Sequence, residues 1–293
     1  MIQVVLRGGM GNQMFEYATG LALAKKYNAE LVLDTTYLAD RFPRKDFTPR
    51  HYELDAFALP PRFAGLSRAA HTVPIPGVWL GLDLALMKAR DLFGARKLIA
   101  EKHGRRFDPS VLDAGGNACL WGLWQSEKYF ESARDEVRAA FTFARALPPS
   151  AGALGDQIKK TNSISLSVRR GDYVNASNTK LFGGTNTQYY RDAIEHMSSR
   201  VPDPHFFVFS DDIAWCREHI TIPFETTYIP AELDGPSALQ LLSLCKHQII
   251  ANSSFSWWGA WLNGNPGKIV VAPKKWYADP AADDIVPEQW IRA

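Results

Sequence analysis

Short apolar runs alternate with longer amphipathic stretches throughout the second half of the chain. The apolar runs that predict β-strands are ISLSV, HFFVFS, TTYIP, QIIAN and KIVVAP. Helical patterns fall between them, at YYRDAIEHMSS, IAWCREHI and SALQLLSLCKH. Strands separated by helices favour a parallel sheet, because each crossover returns the chain to the same edge. We therefore expect a doubly wound α/β lobe in this half.

The first half begins with the same alternation. A strand at IQVVL is followed by a glycine loop at RGGMGNQ, a helix over MFEYATGLALAKKYN and a second strand at ELVLDT. Residues 105–145 predict a strand near ACLWGLW and a helix from Ser132 to Phe143. The prolines and glycines of ALPPSAGALGDQIKKTN, around a short helix, indicate a boundary. The predicted domains are therefore residues 1–150 and 151–293, and a cleft between two such lobes is a common ligand position.

Composition and charge narrow the class of protein. Of the 293 residues, 46% are hydrophobic and 22% charged, which is typical of a soluble globular protein. A net charge of only +2 argues against a broad nucleic-acid surface, so no nucleic-acid partner is expected. The three cysteines are widely spaced and no Cys/His ligand cluster occurs, so the sequence supports neither a disulfide framework nor a metal site.

The N-terminal stretch lacks the pattern of a signal peptide, and no apolar run is long enough to span a membrane. Residues 78–98 predict an amphipathic helix that packs on the core, with a peripheral membrane contact as the open alternative. We expect a cytoplasmic protein, and any membrane association would be peripheral, at the inner face.

The loop RGGMGNQ connects a predicted strand to a predicted helix. Glycines let backbone amides approach an anion, and a helix N-terminus favours negative charge. A plain tight turn is the alternative, but the adjacent amides of Asn12 and Gln13 offer donors and acceptors to a sugar or phosphate. Gly11, Asn12 and Gln13 are therefore candidate substrate-binding residues.

The segment RRGDY follows the strand ISLSV and so lies at its carboxyl end, where open α/β sheets bind ligands. Arg169 and Arg170 could clamp phosphate oxygens, and Asp172 could accept a proton from an acceptor hydroxyl. An Arg–Asp pair that braces the turn is the alternative. Arg170-Gly171-Asp172 also matches an adhesion tripeptide, but adhesion loops are exposed whereas this one closes an apolar strand.

Two further strand ends carry polar residues. Ser210, Asp211 and Asp212 could bind a base or ribose, or could cap the following helix. Adjacent acids do not have the Asp-x-Asp spacing of a metal site. After QIIAN, hydroxyls at a helix start predict an anion site, whereas the tryptophans that follow are expected in the core. The candidates there are Asn252, Ser253, Ser254, Phe255 and Ser256.

Taken together, the motifs resemble those of the bacterial α-1,2-fucosyltransferases, a glycosyltransferase family that includes the blood-group H enzymes. The resemblance covers nearly the whole chain, through GGMGNQMFEYATGLALAKKY, YELDAF, WQSEKYF, SVRRGDYV, FVFSDD and ANSSFSWWGAWLN. It implies the GT-B fold, with two Rossmann-like lobes. It also implies inverting, metal-independent transfer of fucose from GDP-β-L-fucose, a co-substrate, to a galactose 2-hydroxyl of a glycan acceptor. Such transfer serves cell-surface polysaccharide or oligosaccharide synthesis, and no cofactor is implied.

The resemblance also assigns roles within the site. Arg169 matches the arginine that steadies the β-phosphate, and Asn12 the amide that reaches the donor across the cleft. Asp211 or Asp212 would read the guanosine, while Ser253, Ser254 and Phe255 would line the diphosphate. Asp172 is the candidate general base.

Ser167 departs from the family pattern, which usually reads His-x-Arg-Arg-Gly-Asp. Serine can donate a hydrogen bond to phosphate but cannot shuttle protons near neutral pH. We expect Ser167 to replace the histidine as a binding residue. A non-catalytic GDP-sugar or glycan-binding protein of the same fold remains the alternative.

Overall fold

The computed structural model describes residues 1–39, 50–64, 85, 87–89, 91–92, 94, 96–102, 106–170, 186–277 and 283–293. The chain divides into two units, Met1–Ala144 and Arg145–Ala293. Each unit is built on its own parallel sheet, so the chain has an α/β fold with parallel sheets.

The first unit contains a four-stranded sheet. Its strands are β1 (Ile2–Val5), β2 (Leu31–Asp34), β3 (Lys97–Ala100) and β4 (Ala118–Trp121), in the spatial order β2-β1-β4-β3 and all parallel. The α-helices that lie wholly within its described residues are α1 (Met10–Lys26), α2 (Thr36–Ala39) and α3 (Arg134–Ala140). Short 3-10 turns cover Leu54–Ala56, Pro109–Asp113, Glu127–Tyr129 and Glu131–Ala133.

Helix α1 packs closely on the first two strands. A Cβ at Gly20 would collide with the Val4 side chain and would lie 2.8 Å from Cδ1 of Leu31, so only glycine fits between helix and sheet. Lys25 and Lys26 occupy the last turn, where cations favour the negative end of a helix. The helix stops before Asn28, whose φ of 48° leaves the helical region.

The second unit contains a six-stranded sheet. Its strands are β5 (Asn162–Val168), β6 (Pro204–Ser210), β7 (Glu225–Tyr228), β8 (His247–Ile249), β9 (Val270–Ala272) and β10 (Ile291–Arg292). Its helices are α4 (Pro149–Lys160), α5 (Thr187–Ser198), α6 (Ile213–His219), α7 (Gly235–Leu244) and α8 (Ser254–Leu262), and a 3-10 turn covers Asp283–Ile285. The spatial order β10-β9-β8-β5-β6-β7 is the doubly wound order, and the strand order reverses between β5 and β8.

Side chains alternate between the two faces of this sheet. Ile164 and Leu166 of β5 pack into a cluster with α5, whereas Phe207 and Phe209 of β6 pack into another with α4 and α7. Ser165 and Ser167 are the register partners of these phenylalanines and so share their face. Both faces are thus buried, as the apolar runs predicted.

The structure corrects several predicted boundaries. Helix α1 begins at Met10, because the N–H groups of Asn12 and Gln13 bind the carbonyl of Gly9, so the predicted loop shortens. The helix expected from Ser132 to Phe143 covers only Arg134–Ala140. In the predicted helix 78–98, residues 85, 87–89 and 91–92 are helical, but Lys97 and Leu98 belong to β3, and most of the remainder lies outside the described residues.

Candidate functional site

A cavity opens at the carboxyl edge of the second sheet, beside the point where the strand order reverses. Its volume is about 220 Å³. The polar residues in its wall are Ser167, Arg169, Ser210, Asp211, Ser253 and Ser256. Apolar side chains complete the wall, among them Phe209, Leu233, Leu242 and Phe255. Ligands of doubly wound sheets bind at this place, because several strand ends and helix N-termini converge there.

Arg169 contributes the cation of this cavity. It follows the last residue of β5, and its Nη1 lies 3.2 Å from Oδ2 of Asp211 at the end of β6. The side chains are 35% and 24% exposed, so the pair is reachable from solvent. The Asp211 carboxylate also accepts the backbone N–H of Arg170 at 2.9 Å. Asp211 therefore orients Arg169.

Beside the cavity, Ser167 carries a hydroxyl without a hydrogen-bond partner among the described residues. It is the penultimate residue of β5, is 6% exposed, and lines the cavity wall. Its Oγ is buried and makes no hydrogen bond with any described residue. A buried polar atom without a partner is costly, and a ligand acceptor would relieve that cost.

Helix α8 begins at the cavity. Ser253 is its N-cap residue, makes no side-chain cap hydrogen bond and lines the wall with Phe255. Ser256 Oγ donates within the turn, to the carbonyls of Ala251 and Ser253. Ser254 starts the helix without lining the cavity. A helix N-terminus with an open cap favours an anion.

Three predicted substrate-binding residues are engaged elsewhere within the second unit. Asn252 is 2% exposed, and its Nδ2 donates to the carbonyl of Trp276 at 3.2 Å. Asp212 caps α6 by accepting the N–H of Trp215 at 3.0 Å. Arg170 lies 3.4 Å from Asp212 and does not line the cavity. Ser210, which does line it, accepts the N–H of Asp212 at 2.9 Å.

The glycine loop of the first unit is held by its own side chains. Gln13 is fully buried: its Nε2 donates to the carbonyls of Gly8 and His51, and its Oε1 accepts the N–H of Glu53. Gln13 thus has no exposed atom for a ligand, and Gly11 is buried too. Asn12 is partly exposed, and its Oδ1 accepts from Gln125 at 2.8 Å.

Two carboxyl groups flank this loop. The Glu53 carboxylate accepts the N–H of Met10, so the first amide of α1 already has an anionic partner. Burial raises the pKa of Glu53, and the Met10 amide lowers it in part. Glu16 is fully buried beneath the loop, and desolvation raises its pKa well above the usual range despite the nearby Arg7. These contacts favour the alternative of a tight turn between β1 and α1 over a phosphate site.

Asp172, the predicted base, lies outside the described residues. No sequence pattern indicates the wall formed by Ile229, Pro230, Ala231, Leu233 and α7, because apolar side chains of this kind occur in any core. Trp215, which contacts Arg170, and Gln125 were also overlooked. Its position three residues after the predicted cap Asp212 was the one signal in the sequence that could have placed Trp215 near this strand end.

Within the part of the chain that the structure describes, no group of three or more His, Cys, Asp or Glu side chains is arranged to hold a metal ion. No helix there combines the length and apolarity needed to cross a membrane.

Comparison with known proteins identifies relatives. The model of the family described as Glycosyl transferase family 11 matches residues 102–293. An alpha-1,2-colitosyltransferase of Escherichia coli is 33% identical, over 98% of this chain and 97% of the relative. Galactoside alpha-(1,2)-fucosyltransferase 1 of Ateles belzebuth is 27% identical, over 88% of this chain and 64% of the relative. The structure of fucosyltransferase NodZ from Bradyrhizobium covers 88% of this chain and 91% of its own, at 13% identity and a TM-score of 0.48.

Proposed function

Because the chain belongs to glycosyltransferase family 11, we propose that it transfers L-fucose from GDP-β-L-fucose to the 2-hydroxyl of a terminal galactose in a glycan. The transfer inverts the anomeric carbon and needs no metal. The proposal includes a GT-B arrangement, in which the second unit holds GDP-fucose and the first unit serves the acceptor.

The observation that carries the proposal is the position of Arg169. It stands at the end of the central strand β5, lines the cavity, and is oriented by Asp211 at 3.2 Å. Transfer of a sugar from a nucleotide leaves a diphosphate that gains negative charge in the transition state. A preoriented guanidinium stabilises that charge without reorganising, which lowers the barrier.

The neighbouring groups supplement this cation. Ser167 offers an unpartnered hydroxyl, and the open cap of α8 at Ser253 offers backbone N–H groups. Both suit diphosphate oxygens. The apolar wall, with Phe209 and Phe255, suits a nucleobase face.

Two roles in the reaction rest on the family resemblance. Asp172 would take the proton of the acceptor hydroxyl as that oxygen bonds to the fucose anomeric carbon. Asn12 would contact the donor, and its Nδ2 makes no hydrogen bond within the described residues, which leaves this donor group available.

Colitose is a second candidate donor sugar, since a relative named for colitosyl transfer is 33% identical over nearly the full chain. Colitose is fucose without its 3-hydroxyl. A site that hydrogen-bonds a hydroxyl discriminates strongly against the analogue that lacks it, so one donor should be clearly preferred.

The test is a donor panel with a β-galactoside acceptor, in which GDP release and product mass are measured. GDP-fucose should give acceptor-dependent GDP release at least tenfold faster than GDP-colitose, with UDP-galactose inactive. Faster turnover of GDP-colitose would assign the second donor. Tight GDP binding without turnover of either sugar would indicate the non-catalytic binding protein.

A further inference from the structure

Trp215 lies in the first turn of α6 and supports the arginine next to Arg169. Its ring lies 4.1 Å from the guanidinium carbon of Arg170, and neither residue lines the cavity. We propose that Trp215 is a positioning residue for the transfer reaction: it holds Arg170, and through Arg170 it fixes the direction of Arg169. This inference rests on the proposed function.

Arg170 is held mainly by the ring of Trp215. Its side chain is 31% exposed and lies 3.4 Å from Asp212, but its buried Nε makes no hydrogen bond. A partly exposed ion pair without hydrogen-bond alignment fixes a long side chain weakly. A guanidinium stacked on an indole is held more firmly, because the planar cation contacts the negative face of the ring. The stack on Trp215 is therefore the main anchor of Arg170.

The carboxylate of Asp211 connects Arg170 to Arg169. Oδ1 of Asp211 accepts the backbone N–H of Arg170 at 2.9 Å, and Oδ2 of Asp211 pairs with Nη1 of Arg169 at 3.2 Å. The backbone at residue 170 and the guanidinium of residue 169 are thus fixed to the same group. Release of the Arg170 side chain would loosen that backbone, and Asp211 would lose the hydrogen bond from the Arg170 N–H.

Trp215 is itself anchored, by Asp212 and by His219. Oδ1 of Asp212 accepts the N–H of Trp215 at 3.0 Å, while Oδ2 of the same carboxylate pairs with Arg170. The His219 ring stacks on the indole, with centroids 4.7 Å apart and an interplanar angle of 10°. The ring that supports Arg170 is therefore held by its own helix.

The competing interpretation is that Arg170 contacts the diphosphate directly. It predicts that Arg170→Lys weakens GDP binding, since a bidentate phosphate contact is lost. Positioning predicts a different pattern, because a misdirected Arg169 lowers the rate of transfer more than it lowers the affinity for the ground state.

The experiment compares Trp215→Leu, Trp215→Phe, Arg170→Lys and the double variant Trp215→Leu/Arg170→Lys in the full-length protein. We measure kcat, the KM for GDP-fucose and the calorimetric Kd for GDP. Trp215→Leu should lower kcat roughly tenfold to a hundredfold, with the Kd for GDP changed by less than about threefold. Trp215→Phe keeps an aromatic face and should retain most of the rate. The kcat of the double variant should lie within about twofold of the kcat of Trp215→Leu, because both substitutions break the same stack between Arg170 and Trp215.

Arg217→Lys is the matched control. Arg217 also lies on α6 and stacks on an aromatic ring, that of Tyr228 at 3.8 Å, but it does not line the cavity. Its replacement should leave kcat unchanged. The inference is overturned if Arg170→Lys raises the Kd for GDP tenfold or more, if Trp215→Leu keeps the wild-type kcat, or if Trp215→Phe is as slow as Trp215→Leu.

A crystal structure of Trp215→Leu separates this inference from the proposed function. If the wild-type protein transfers no sugar, the proposed function fails, but the contact chain is still testable. The variant structure should show the Arg170 side chain displaced and Arg169 no longer paired with Asp211. An unchanged Arg169–Asp211 pair would overturn the positioning role.

Discussion

Replacement of Arg169 by alanine should remove activity while leaving the fold intact. The Arg169–Asp211 pair is 35% and 24% exposed, and pairs of this kind contribute at most about 1 kcal/mol to stability. Loss of one preoriented donor to a developing anion costs roughly 2.7–4 kcal/mol in the transition state. A hundredfold to thousandfold loss of kcat is therefore expected, with Tm lower by only a few degrees.

The assay measures acceptor-dependent GDP release together with thermal unfolding. Arg169→Lys is the partner variant: it keeps the charge but loses the planar fork, so its kcat should lie between wild type and alanine. Arg217→Ala removes an arginine on the same unit away from the cavity and should leave kcat unchanged. An Arg169→Ala enzyme that keeps more than a tenth of the wild-type kcat would refute the assignment of Arg169 as the leaving-group cation.

Three further variants test individual contacts. Ser167→Ala should weaken GDP binding by roughly tenfold in calorimetry without lowering Tm, because its hydroxyl has no partner in the protein, and an unchanged Kd would exclude a phosphate contact. Gly8→Ala should cost about 1–2 kcal/mol in thermal unfolding, since Gly8 has a φ of +70° and a Cβ there would lie 2.5 Å from Nδ2 of Asn12. Burial raises the pKa of Glu16, so charging this carboxyl destabilises the folded state increasingly as pH rises above its unfolded pKa. Glu16→Gln should therefore raise Tm relative to wild type at pH 8 and not at pH 4, and an equal difference at both pH values would contradict the raised pKa.

The sequence was sufficient to predict the elements in which apolar side chains recur with a regular period. Helices cover both faces of β5 and β6, and the continuous apolar run of β6 alone indicates a buried parallel strand. Strand β5 instead alternates apolar residues with the buried serines Ser163, Ser165 and Ser167. Strand β3 was missed because its four residues are partly exposed and continue an amphipathic helical pattern. A pattern that short does not distinguish a strand from the end of a helix.

The part of the candidate site that lies at the carboxyl ends of strands could be predicted from the sequence. Arg169 and Asp211 follow from their positions at the carboxyl ends of β5 and β6, whereas Ser167 was a candidate through the family resemblance. The hydrogen bonds that bury Gln13 could not be predicted, because its side-chain amide donates to the carbonyl of His51, which is 38 residues away. Long-range contacts of this kind are set by tertiary packing, which local sequence patterns do not encode.

The proposed function is tested most directly by determining the glycosidic linkage in the product. The purified protein is incubated with GDP-fucose and a β-galactoside, and the product is analysed by NMR. We predict one new α-linked fucose on the galactose 2-hydroxyl, formed in an amount equal to that of the GDP released. Fucose on any other hydroxyl, retention of the β configuration, or GDP released without a fucosylated product would contradict it.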